Sequence, residues 1–139
     1  MLREIAAQYP TDFLIEQLSK EHLAAYCRFL GLSDIGGQSM LRRRLIKHLD
    51  YLRLDDELIQ REGVDSLSEE LLRDAAEERG IRSQHVDTVK LRAELQEWVD
   101  LRLGKPAIPP ALLVFSQVFR NHTRAPATAT TLEVAEKVV

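Results

Sequence analysis

Two stretches of this 139-residue chain repeat one another. Leu18-Ser-Lys-Glu-His-Leu23 leading to Gly31-Leu32 recurs as Leu67-Ser-Glu-Glu-Leu-Leu72 leading to Gly80-Ile81. Leu41-Arg42 with Leu45, Leu49 and Asp50 recurs as Leu91-Arg92 with Leu95, Val99 and Asp100. The register is 49 positions in the first half of each unit (18 to 67) and 50 in the second (41 to 91), so one residue is inserted in the joining segment. Such a repeat defines the structural unit before any motif is read. Each copy, at about 18–53 and 67–103, reads as a helix, a glycine stop, a short connector and a second helix. Neither copy is long enough to bury both of its apolar stripes alone, so the two must lean on other parts of the fold.

Helical spacing runs through the rest of the chain. Residues 2–9 form a short amphipathic segment closed by Pro10. Ser19 can cap the first repeat helix, which sets Leu23, Cys27 and Leu30 on one stripe. Gly36-Gly37 marks a loop, and a helix from about Ser39 to Arg53 gathers Leu41, Leu45, Leu49 and Leu52 on one face. Asp55-Asp56-Glu57 reads as the acidic start of a further short helix ending at Gly63, and Ser66 with Glu69 as a capping box. A helix from about Asp87 to Leu103 stops at Gly104, and Pro110 can open a last helix over Ala111 to Phe119. Nothing reads as a strand. The predicted fold is all-α, a compact bundle of about seven helices over residues 1–121, with 122–139 as a flexible tail or the start of a further helix. Its predicted core includes Leu23, Cys27, Leu45, Leu49, Leu72, Leu95, Trp98 and Val99.

Chemistry leaves fewer traces. A net charge of −3 argues against a wholly cationic surface. Residues 62–103 carry 6 basic and 11 acidic groups, so any basic surface lies earlier. Cys27 is the only cysteine, which precludes an intramolecular disulfide. His22, His48, His85 and His122 have no metal-ligand spacing, Ser116 and Thr88 have no base beside them, and no glycine-rich phosphate loop is present. We expect no enzymatic activity, no metal and no cofactor. No apolar run approaches the roughly 20 residues that span a bilayer, and the N-terminus lacks a signal-peptide core.

Two surfaces are candidates for binding. Arg42-Arg43-Arg44 with Lys47 and His48 forms a basic run, and Arg43 and Lys47 lie nearly opposite the leucine face, flanked by Arg44 and Tyr51, a stripe suited to phosphates or an acidic partner. The bland reading is a solvated helix face. In the second copy the positions of Arg44, Lys47, His48 and Tyr51 hold Glu94, Glu97, Trp98 and Leu101, so the repeat does not require cations here. The last helix carries Leu112, Leu113, Phe115 and Phe119 and is apolar almost all round, which calls for several neighbours or a docking partner.

The ordered motifs carry a resemblance. The helix ending in Leu30-Gly31-Leu32, Asp55-Asp56-Glu57-Leu58-Ile59, Glu62-Gly63-Val64-Asp65-Ser66-Leu67 and Trp98-Val99-Asp100-Leu101 occur in an order similar to the matrix-facing, ribosome-binding-type domain of the leucine-zipper/EF-hand-containing transmembrane (LETM) proteins. The resemblance covers about residues 2–121. It implies a module on the matrix side of the mitochondrial inner membrane, contacting the mitochondrial ribosome or an inner-membrane protein complex, in proteins linked to cation/proton homeostasis. The family's membrane helix, EF-hand and coiled coil have no counterpart here, so ion transport does not carry over. The repeat also resembles the SAP motif of nucleic-acid-binding proteins. This implies an alternative, RNA contact through the first repeat, and a structural subunit of an inner-membrane complex is a third reading.

Overall fold

A glycine in the left-handed region ends the first helix of each repeat. Gly31 has φ 77° and Gly80 φ 76°, and in both turns the following amide reaches back: Leu32 N to Cys27 O at 2.7 Å and Ile81 N to Ala76 O at 2.9 Å. At Gly80 a side chain is doubly barred, since a Cβ there would lie 2.5 Å from the Phe29 ring. The computed structural model describes residues 1–8 and 14–124. Pro10 and residues 125–139 lie outside them. The helices are α1 (Leu2–Gln8), α2 (Lys20–Phe29), α3 (Gln38–Glu62), α4 (Glu69–Glu78), α5 (Thr88–Leu103) and α6 (Pro110–Arg124). Among the described residues there is no strand.

The two units match in detail. A 3-10 turn precedes each, at Ile15–Gln17 and Val64–Ser66. The Ser19 hydroxyl accepts from His22 N, and the Ser68 hydroxyl accepts from Leu71 N, both at 3.2 Å. The cap of α4 is therefore Ser68, not Ser66, whose hydroxyl instead donates to Gly63 O at 2.7 Å. The arginine shared by both copies ties each unit shut. Arg42 donates to Ile15 O and Leu18 O, and Arg92 donates to Val64 O and Leu67 O at the matching positions.

The eight core positions expected from the repeat are all buried. α3 lies against α2 and α5, and α4 lies against α5. α6 is enclosed by both units. It packs on α5 and α1, Val118 meets Ala25 and Phe29, and the Tyr26 hydroxyl donates to Ala111 O at 3.0 Å.

One helix boundary departs from expectation. Asp55-Asp56-Glu57 does not start a new helix; α3 runs unbroken for 25 residues, which brings the count to six α-helices among the described residues. Asp56 falls on the inner face, fully buried. Its Oδ1 accepts from Arg79 Nε at 2.9 Å and Nη2 at 2.7 Å, and its Oδ2 accepts from Trp98 Nε1 at 3.1 Å. Arg79 also donates to Asp55 Oδ2 and Ala75 O, each at 2.8 Å. Burial pushes the Asp56 carboxyl above its usual range, while Arg79 and Trp98 pull it back. The carboxylate serves as a pairing group inside the bundle, not as a helix cap.

Two outcomes are expected. Asp56→Ala takes the buried carboxylate from the Arg79 guanidinium, leaving it Asp55 and the Ala75 carbonyl, and costs about 3–5 kcal/mol in denaturant unfolding. Tyr26→Phe removes the hydrogen bond to the Ala111 carbonyl and costs about 0.5–1.5 kcal/mol at neutral pH. Burial holds the Tyr26 phenol well above its ordinary value, so its contribution is full below the unfolded value of about 10 and is lost as pH rises through the folded value. Unfolding curves of wild type and Tyr26→Phe should therefore converge above about pH 10.

Candidate partner-binding surface

The length of α3 creates a long exposed stripe. At about 100° per residue, Met40, Arg43, Lys47, Tyr51, Leu54, Leu58 and Arg61 fall within an arc of about 80°. All seven are exposed, with Leu54 at 64%. The opposite face holds Leu41, Leu45, Leu49, Leu52, Asp56 and Ile59 in the core.

The expected cationic residues do not all reach solvent. Arg43 and Lys47 do. Arg44 turns to the connector, where Nη1 donates to Ser33 O at 2.6 Å and Ile35 O at 3.0 Å. Arg42 is occupied by the clamp of its own unit. Arg28 pairs with Asp34 at 2.9 Å and holds that carboxyl below its usual range. Tyr51 is half exposed, and a hydrogen bond to Glu78 raises its phenol pKa. His48 Nε2 lies 2.9 Å from Glu78 O, which fixes the imidazole between α3 and the end of α4. The surface thus has two outward cations at one end, Arg61 at the other, and apolar side chains between.

The apolar half of this stripe lies past Arg53, where the expected helix ends and α3 does not. The spacing of Leu54 and Leu58 after Tyr51 continues the same face. Reading through the acidic triplet was the signal needed to find it.

The second candidate surface is only partly open. Leu112 and Leu113 are buried inside the chain, each 1% exposed, because α1, α2 and α5 enclose α6. They are core residues here. Phe115 is partly covered, Phe119 is 45% exposed, and their rings meet edge to face at 4.8 Å. With Leu2, Ile5 and Leu101 they border a groove of about 650 Å³ whose polar edge includes Glu97 and Arg120.

The same geometry shows what became of the second unit's outer face. Glu97 pairs with Arg120 of α6 at 3.5 Å, Leu101 lines the groove, and Glu94 is buried at 5% exposure. Of the counterparts of Arg43, Lys47 and Tyr51, Ala93 and Glu97 stay exposed and Leu101 is partly covered. Among the described residues no group of acidic, histidine or cysteine side chains could hold a metal, and none of the helices is long and apolar enough to cross a membrane.

Known proteins share this chain's sequence across nearly all of the described fold. The family model described as "LETM1-like, RBD" matches residues 1–120. A Drosophila melanogaster protein named mitochondrial proton/calcium exchanger protein is 40% identical over 114 residues, covering 82% of this chain and 11% of its own length. A Schizosaccharomyces pombe protein named LETM1 domain-containing protein mdm28, mitochondrial, is 36% identical over 118 residues, covering 85% of this chain and 25% of its own. The chain thus spans a quarter or less of these relatives. With the model matched over almost its whole described length, the chain belongs to the LETM1-like, RBD family.

Proposed function

We propose that the chain is a non-enzymatic binding module on the matrix side of the mitochondrial inner membrane, contacting the mitochondrial ribosome through the outer face of α3. The carrying observation is that Arg43 and Lys47 point to solvent on a face where the second unit has Ala93 and Glu97. The bundle does not need these cations for its own packing, whereas Arg42 and Arg44 are used internally. The mitochondrial setting is supported by the names of both relatives. The link to proton and cation homeostasis rests on the name of the Drosophila relative. The module contributes to it by holding a partner in place.

Co-sedimentation with purified mitochondrial ribosomes tests the reading. Arg43→Glu with Lys47→Glu should weaken binding at least about tenfold while leaving the melting temperature unchanged, since neither side chain touches the core. If both cations meet phosphates, raising salt from about 50 to 200 mM weakens wild-type binding roughly tenfold. Binding untouched by the double reversal overturns the proposal and turns attention to the groove beside Phe119.

A further inference from the structure

We infer that Arg102 and Arg53 form a phosphate-binding site where α5 meets α3, apart from the stripe that carries Arg43 and Lys47. Arg102 stands where a core residue belongs. At about 100° per residue, Leu91, Leu95, Trp98 and Val99 lie within about 60° of it around α5, and all four are buried. Its counterpart 50 positions earlier is Leu52, which is 1% exposed. The repeat packs this position with leucine, so the bundle needs no cation there.

Arg102 is itself only 9% exposed, and among the described residues it has no hydrogen bond and no ion pair. Other inward arginines are occupied. Arg42 and Arg92 hold carbonyls of their own units, and Arg79 holds Asp55 and Asp56. A guanidinium withdrawn from water without acceptors is costly, because its lost hydration is not replaced. Its nitrogens are not sealed from solvent, so a ligand can reach them at the edge of the helix pair.

The strongest charge acting on Arg102 is that of Arg53, whose side chain is 57% exposed and lies 3.7 Å from Glu57. Burial and Arg53 hold the Arg102 pKa below its ordinary value, and Asp56 and Asp50 do not make up the difference. Two guanidiniums of like charge suit an oxyanion that both can reach. The neighbours decide which one. Asp50 and Glu57 lie one turn to either side of Arg53 on α3, yet neither closes on Arg102, so a further carboxylate offers nothing the chain lacks. A phosphate monoester brings about −1.5 to −2 charges and three acceptor oxygens, enough to engage both arginines. The position after Arg102 is Leu103, the counterpart of Arg53. Each unit thus gives one arginine where the other has leucine.

The test titrates inorganic phosphate, and in parallel ribose 5-phosphate, into the full chain at neutral pH. Trp98 is the only tryptophan and lies one turn before Arg102, so its fluorescence reports on the site; the melting temperature is the second readout. Both should change saturably, whereas acetate at matched ionic strength should change neither. Arg102→Leu and Arg53→Leu each install the residue of the other unit. Each should stay folded and weaken binding at least about tenfold, the size expected for losing one charged contact. Arg43→Glu with Lys47→Glu should leave binding unchanged. Ribose 5-phosphate binding at least as tightly as the free ion identifies an ester as the occupant, and binding of inorganic phosphate alone identifies the free ion; either supports the site. A response that acetate matches, that survives Arg102→Leu, or that vanishes with Arg43 and Lys47 overturns it. Should Arg102→Leu fail to fold, Arg53→Leu, on the surface, decides in the same way. Ribosome sedimentation is a separate readout, so the proposed function stands or falls without this site.

Discussion

Everything in this bundle is arranged around a guanidinium that has no access to water. Arg79, at the end of α4, is fully buried, and its charge is tolerated only because Asp56 and Asp55 of α3 accept its donors. The second oxygen of Asp56 is taken by Trp98 of α5. Three helices from two repeats are thereby fixed in rotation and register by one network. Apolar packing alone permits sliding, because leucine stripes are forgiving; paired charges in a dry interior are not. The depth of this pair also keeps α3 unbroken, since its carboxylate must arrive from mid-helix.

The repeat made most of the architecture legible. Equal spacing of leucines in two copies gave the helices, their inner faces and the glycine stops, and the eight core positions followed. Ser66 reads as the cap because it has Glu69 three residues on, whereas Ser68 has Leu71 there; the 3-10 turn over Val64–Ser66 moves the helix start to Ser68. The run through Asp55-Asp56-Glu57 was hidden for a physical reason. Three acids in a row signal a helix start when solvent-exposed, and sequence gives no sign that an arginine 23 positions later is buried against one of them. The candidate surface was half legible. Arg43 and Lys47 are outward as their angular position requires, but Arg44 bends to connector carbonyls that no periodicity announces.

The two units show how one local design serves opposite ends. Their turns, caps and clamping arginines coincide, yet their connectors are gripped differently. Ser33 O is held by Arg44 from α3, and Ser83 O by Arg73 from α4. In the second unit, freed from that duty, position 94 is a buried glutamate. In the first, Arg44 secures the connector and leaves the neighbouring cations to face outward.

The placement of α6 has a mechanical consequence. It touches the first unit through Ala111 and Val118, and the second through Arg120 and Asn121, whose amide donates to Gly80 O at 3.3 Å. A force directed along the axis of α6 therefore loads its contacts with both units at once. Contacts loaded side by side must yield together, so the bundle resists a pull from that direction as one body instead of peeling open repeat by repeat.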